Sequence, residues 1–249
     1  MTNVISVTIL TKNSARTLQS TLESLKDFAE VVIADTGSTD ATLDICKDYS
    51  NVTVKKIPFD GFGPSHNTAS SLASNDWILS IDSDEVVSCE LIKELTSMPL
   101  KENTVYSIRR HNYYNQKKIT TCSGWNPDWV IRLYNRKITS FSSDKVHERI
   151  LAENLTISPL KGTITHTPYL CIQDFLDKMQ SYSSLFALQS RGKKKAGIFT
   201  ALAHSLAAFF KSYILKKGFI QGQEGLIISL YNSHVSFYKY LKLAESCKK

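Results

Sequence analysis

The sequence predicts an α/β fold, a mostly parallel central sheet flanked by helices, followed by a helical extension at the carboxyl end. Three observations predict it. Through roughly the first hundred residues, short β-branched runs alternate with stretches of helical periodicity, the order that builds a parallel sheet. The first, second and fourth runs end in polar or acidic residues, which a parallel sheet gathers at one edge, where open α/β sheets bind ligands. From Ile172 onward the apolar spacing is helical alone.

Val4 to Leu10 reads as the first strand, and Ser14 to Lys26 as a helix with Leu18, Leu22 and Leu25 on one face. Val31 to Ala34 is the second strand, Asp40 to Tyr49 a helix, and Val52 to Ile57 the third strand. Pro64 to Ala73 follows as a helix, and Trp77 to Ile81 as a fourth strand that ends in Asp82-Ser83-Asp84-Glu85. Asn103 to Thr167, rich in Thr, Ser, Asn, Tyr and Arg, reads as further strands and loops on an acceptor side. The domain reading is therefore 1–170 for the sheet domain, its ligand half 1–100 and its acceptor half 101–170, and 171–249 for the helical region. Gly192 and Lys193 to Lys195 form the expected hinge.

The chain has 249 residues, 42% hydrophobic and 21% charged, which excludes disordered and low-complexity classes and leaves room for a clefted enzyme. Its five cysteines lie more than thirty residues apart, without the close pairs of zinc or thioredoxin sites. Met1 to Leu10 lacks a basic n-region, and its apolar run is broken by Ser6 and Thr8. No signal peptide and a cytosolic protein are the expectations.

Charge is concentrated. Arg191 to Lys217 holds seven Lys or Arg and no acid, which accounts for the whole net charge of +7. An anionic partner is therefore met there. Ile198, Leu202, Leu206, Phe209 and Tyr213 fall at helical spacing beside Lys211, Lys216 and Lys217. A basic amphipathic helix on an anionic membrane and a helix packed on the main domain are both open, whereas Ala196 to Phe210 is too short to span.

Asp82 and Asp84, two residues apart at a strand end, are hard oxygen donors suited to Mg²⁺ or Mn²⁺ bridging a diphosphate. Upstream, Thr11, Asn13, Asp35, Gly37, Ser38 and Asp40 sit just beyond the first two strands. Asp35 is placed to accept from a base or ribose, Gly37 to permit the turn, and Asp40 either to bind or only to cap the next helix.

In order and spacing, the stretches "VTILTKN", "VVIADTGSTDAT", "HNTASSLASNDWILSIDSDE" and "DKVHERI" resemble the family 2 inverting glycosyltransferases of GT-A fold. "FFKSYILKKGFIQGQEGLIISLY" and "YKYLKLAE" are similar to a narrower group, the lipopolysaccharide core glucosyltransferases that act on heptose. The resemblance implies a UDP-sugar donor, with Thr11, Asn13 and Asp35 on uracil and ribose, Asn67 near the donor, and Asp82 on ribose or metal. It implies a divalent metal on Asp84, with Asp82 and His166 as further candidate ligands; an isolated His after an apolar strand, as His166 is, is more often a structural hydrogen-bonding residue.

An inverting displacement needs one general base on the acceptor hydroxyl. His147-Glu148 in "DKVHERI" resembles the His-Glu pair of the narrower group, which implies Glu148 as base with His147 orienting it or touching the diphosphate, and Asp128 is the rival. The bland alternative pairs Glu148 with Arg149 or Arg132. Trp125 and Trp129 are open between sugar stacking and core packing, and Arg132 and Lys178 are candidate diphosphate partners. Two departures stand out: His66 where relatives have Arg or Lys, and Gln221 where Asp is expected.

The implied activity is hexose transfer, of glucose by this likeness, to a lipid-linked saccharide such as lipopolysaccharide core, on the inner face of the cytoplasmic membrane. Two rivals are kept. A nucleotidyltransferase would want a Gly-rich basic loop after the first strand, which "LTKNSARTL" is not. A basic membrane- or nucleic-acid-binding protein with a vestigial site would rest on Arg191 to Lys217, where no nucleic-acid motif stands, so no nucleic-acid partner is expected.

Overall fold

A computed structural model describes residues 5–144, 148–194 and 196–247. The chain divides into two compact units, Met1–Arg110 with Trp129–His166, and His111–Asp128 with Thr167–Lys249. Residues 111–128, assigned by the sequence to the sheet domain, thus group with the helices.

In the first unit, β1 (Ile5–Thr11), β2 (Val31–Asp35), β3 (Val52–Lys56) and β4 (Trp77–Asp82) form a parallel half-sheet in the order β3-β2-β1-β4. β1 and β2 are buried on both faces, as β-branched runs without alternation require. Helices α1 (Leu18–Glu23), α2 (Thr42–Cys46) and α3 (Phe62–Ser71) connect these strands. Leu18, Leu22 and Leu25 are all buried in the core, on the face that the sequence assigned to them.

Two helices are shorter than their periodicity suggested. Ser14 and Thr17 form turns instead, where the Thr17 hydroxyl donates to the Ser14 carbonyl (3.4 Å) and the Ser14 amide donates to the Thr42 hydroxyl (2.7 Å). Hydroxyl side chains compete with helical bonding in this way. Asp40 does the same before α2, accepting from the Thr42 amide (3.0 Å) and the Ala15 amide (3.1 Å).

The sheet continues with antiparallel pairings that the sequence left undefined. β5 (Glu85–Val87), β6 (Thr104–Tyr114), β8 (Trp129–Asn135) and β9 (Thr156–His166) extend it in the order β4-β8-β6-β9-β5. The short β7 (Lys117–Lys118) pairs with β6. Helix α4 (Cys89–Ser97), capped by the Ser88 hydroxyl, follows β5.

The second unit is largely helical, with α5 (Ile172–Ser190), α6 (Ile198–Phe210) and α7 (Gln223–Ser246). Gly192, with φ of +72°, stands in the break between α5 and α6, where the sequence placed a hinge. Trp125 is buried and stacks near Tyr169 and Phe175, so its role is core packing. α6 runs on through a π-helical turn, Lys211–Leu215, into one rod from Ile198 to Leu215. That corrects the length read from the sequence. The rod has 18 residues and a mean hydropathy of 1.4, enough by length and composition to cross a membrane.

Candidate active site

The strand register gathers the upstream residues. Thr11 is the β-partner of Asp35, and Leu10 is the partner of Asp82. Adjacent strands lie about 4.8 Å apart, so Asp35, Thr11 and Asp82 line roughly 10 Å of one carboxyl edge. A hollow of about 250 Å³ opens beside Asp35, Gly37, Ser38 and Lys56.

Much of the polar capacity there is already used in building the loops. The buried Asp35 carboxylate accepts from the Gly37 amide (3.1 Å) and the Ser38 amide (3.1 Å), closing a turn in which Gly37 takes a φ of +104°. Asn13, at a φ of +52°, accepts from the Thr39 amide (2.7 Å), and its own amide donates to the Ser38 hydroxyl (2.9 Å). The buried Thr11 hydroxyl donates to Ser14 (2.9 Å). Asn67 is tied at both ends of its amide to the Phe141 backbone (2.9 and 3.0 Å) and joins α3 to that segment.

The denser cluster surrounds the turn from Asp82 to Glu85. Glu85 is wholly buried and receives Arg132 (2.6 Å) and Arg110 (3.0 Å) on one oxygen, while the Asp82 amide donates to the other (3.0 Å). Asp82 faces Arg132 at short range and Arg110 at 3.7 Å. Burial presses the Asp82 carboxyl upward, but Arg132, His66, Arg110 and His166 together outweigh it and hold it well below the usual carboxylate range. Arg132 is correspondingly fixed as a cation: burial opposes its charge, and Asp82 and Glu85 more than restore it.

Asp84 pairs with an imidazole. Its carboxylate lies 3.5 Å from His166 Nε2, and His166 is brought there because it pairs in register with Glu85 across β5 and β9. Two guanidiniums thus balance Asp82 and Glu85, leaving Asp84 as the carboxylate with an imidazole beside it. Among the described residues no group of three His, Cys, Asp or Glu could hold a metal. The Asp84–His166 pair nevertheless fits a small divalent ion that keeps waters and draws further ligands from substrate phosphates. Asp82, read from the sequence as a ligand, has its Oδ2 facing Arg132 and Arg110.

A cleft of about 620 Å³ adjoins this cluster, lined by Asp82, Arg110, Arg132, Trp129 and Glu148. Glu148 is half-buried there, and the exposed Trp129 offers its ring to the same space. Arg149 lies 3.9 Å from Glu153, and Arg132 is engaged with Asp82 and Glu85. His147 lies outside the described residues. Asp128 belongs to the second unit and accepts from Asn112 (2.9 Å). Lys178, also there, donates to the Pro168 carbonyl (3.1 Å) and lies over the Tyr169 ring.

The two departures have structural accounts. His66 is buried, stacked on Phe141 with ring centroids 4.5 Å apart, and contacts the Ser80 hydroxyl (3.3 Å). Burial, the largest influence, pushes it down to about 4, so at neutral pH it brings no cation to the site. Gln221 is buried, donating to the Thr120 hydroxyl (2.7 Å) while its carbonyl accepts from Lys117 (2.6 Å).

Sequence reasoning missed Arg110 and the anchoring role of Glu85. A signal existed. Tyr106 and Ile108 are buried and Arg110 continues their period of two, so a cation sits at a core position of β6, where it must meet a carboxylate.

A parallel nucleotide-type half-sheet continued by antiparallel strands, with an acidic turn at the junction, defines the GT-A class of glycosyltransferases. The chain belongs to the Glycosyl transferase family 2, whose profile matches residues 6–152. It is similar to an "Uncharacterized glycosyltransferase" of Rickettsia felis, at 30% identity over 98% of this chain and 91% of that one. It is also similar to the "Lipopolysaccharide core biosynthesis glycosyltransferase LpsC" of Rhizobium meliloti, at 28% identity over 90% of this chain and 88% of that one. Among solved structures, S. aureus TarS superposes with a TM-score of 0.50 at 20% identity, covering 88% of this chain. This chain spans 45% of that TarS chain, and the likeness is one of fold.

Proposed function

We propose that this glycosyltransferase works by inversion and with a divalent metal, moving a hexose, glucose by the sequence likeness, from UDP to a lipid-linked saccharide such as lipopolysaccharide core. The observation that carries the reading is the division of labour at one strand-end turn. Asp82 and Glu85 are bound to Arg132 and Arg110, Asp84 stands with His166, and Asp82 lines the same cleft as Glu148. The acceptor class is supported by the similarity to LpsC.

In this reading the nucleoside sits along Thr11, Asn13 and Asp35, and the diphosphate lies toward Asp84 and His166. A bound Mg²⁺ or Mn²⁺ would neutralise charge that grows on the departing diphosphate. Arg110 and Arg132 hold Asp82 and Glu85 in place, which keeps the turn preorganised. Glu148 accepts the proton of the acceptor hydroxyl as that oxygen attacks the anomeric carbon and the bond to the UDP oxygen breaks on the opposite face. One displacement inverts the centre and needs no covalent intermediate. Trp129 offers a sugar-stacking face at the cleft. The acceptor class puts the enzyme at the inner face of the cytoplasmic membrane.

The test is calorimetric titration with UDP, with and without Mn²⁺. Metal-dependent binding that vanishes in Asp84→Ala is the expected result. Metal-independent binding, or binding that survives the substitution, refutes the metal assignment, and no binding under either condition refutes the donor.

A further inference from the structure

The α6 rod presents a surface that the transfer chemistry does not use. Phe199 is 85% exposed and Leu206 69%, with Leu202 and Phe210 also open to solvent. These four recur at intervals of three or four residues and so fall on one stripe. Only 11% of the Ile198–Leu215 rod is buried. A continuous apolar stripe of this kind marks a contact surface rather than scattered exposure.

Charge identifies the occupant. Exposed Arg191, Lys193 and Lys194 precede the rod, exposed Lys211, Lys216 and Lys217 lie in or just beyond its last turn, and Arg191 to Lys217 contains no acid. Apolar residues flanked by cations, without acids, complement a surface that is apolar within and anionic at its face.

The opposite side of the rod decides how it lies. Ala201 is fully buried, Ser205 hydrogen-bonds to Ser233 (2.8 Å), His204 stacks on Tyr240 at 4.1 Å, and Ser212 bonds to Ser229 (3.0 Å), all toward α7. At 1.5 Å per residue the rod is about 27 Å long, close to a hydrocarbon core. Crossing would nevertheless carry α7 inward with Glu224, Lys239, Lys242 and Glu245, whose burial in lipid is costly.

We propose that α6 lies in the plane of an anionic bilayer, its Phe199–Leu202–Leu206–Phe210 stripe sunk to the headgroup–acyl boundary and its flanking lysines on the phosphates. This deepens the membrane part of the reading above and is independent of donor and metal.

The experiment is flotation of the full chain with vesicles of phosphatidylcholine containing about one-third phosphatidylglycerol. Phe199→Glu with Leu206→Glu should lower partitioning by about tenfold or more, since charge replaces inserted apolar surface. Lys193→Gln, Lys194→Gln and Lys211→Gln together should lower it severalfold and flatten its salt dependence. A Leu206→Trp reporter should be quenched more by lipids brominated near the headgroup than by lipids brominated near the bilayer centre. Absence of flotation, or strongest quenching from the bilayer centre, overturns the proposal. So does a dimer in sedimentation equilibrium that Leu206→Glu dissociates, because the stripe would then be covered by a second copy. UDP titration of the same variants separates the readings: intact UDP binding with lost flotation concerns α6 alone, and flotation without UDP binding refutes only the donor.

Discussion

His66 offers a prediction whose size follows from its surroundings. It is 3% exposed, stacked on Phe141, and pushed by burial from 6.5 to about 4, with Arg132 acting in the same direction and Asp82 partly opposing. A folded-state value below the unfolded one means that the unfolded chain takes up the proton first as pH falls. The stabilising contribution is therefore complete above about pH 6.5 and is lost as pH drops toward about 4. Linkage gives a loss of about 2 kcal/mol between roughly pH 7 and pH 5, approaching about 3 kcal/mol near pH 4.

Carboxylates titrate over part of the same range, so the measurement is a difference. Urea unfolding of the wild type and of His66→Phe, each at pH 7 and pH 5, isolates the imidazole. The phenyl ring keeps the stacked packing on Phe141 and gives up the 3.3 Å contact with Ser80. The wild type should lose about 2 kcal/mol more than the variant on acidification. Parallel losses in the two proteins would show that His66 titrates normally, and the account of an uncharged ring at this position would fail. The result bears on the site as well, because a neutral His66 brings no cation to it at neutral pH.

Three more predictions follow from the site. Glu148→Gln should leave UDP binding nearly intact and reduce transfer by at least about a hundredfold, the usual worth of a general base; loss of that size in Asp128→Asn but not in Glu148→Gln would move the base to Asp128. Glu85→Gln removes a wholly buried charge shared by Arg132 and Arg110, and should cost about 3 kcal/mol in urea unfolding at pH 7. An unchanged midpoint and slope would mean that Asp82 alone satisfies both arginines. Gly63→Ala would set a methyl 1.9 Å from the Ser142 carbonyl and 2.9 Å from that of Asp144, so a loss of about 1–3 kcal/mol is expected. Wild-type stability there would show that the 142–144 segment yields freely.

What was legible in the sequence was what local pattern encodes. β1, β2 and β4 were readable because buried β-branched runs end at Thr11, Asp35 and Asp82, and the parallel register then sets those ends side by side without further information. The antiparallel half was not readable beyond its being strands and loops. Whether Arg132 meets Asp82 depends on β8 pairing with β4, and whether His166 meets Asp84 depends on β9 pairing with β5. Neither pairing leaves a local trace. Residues 111–128 were misgrouped for a related reason: Tyr114, Ile119 and Trp125 share a core with Phe175 and Ile228, at separations of fifty positions or more.

The topology explains why the acidic run is so heavily attended. β4 ends at Asp82 and β5 begins at Glu85, yet β8, β6 and β9 lie between them in the sheet. Across a flat sheet that path is four steps of about 4.8 Å, or roughly 19 Å. Three peptide units reach at most about 11 Å. The strands between must therefore curl, so that the turn bridges the two ends of the curve. Each intervening strand then supplies one basic side chain to that turn: Arg132 from β8, Arg110 from β6 and His166 from β9. The arginines are placed by the curl to bind Asp82 and Glu85, and the imidazole at the far end reaches Asp84. Two carboxylates of one short motif are thus given different work by strand order. One faces the arginines, and the other lies beside a nitrogen donor. A substitution that weakens the curl, with all three basic side chains retained, should for that reason disturb the site as much as removing one of them.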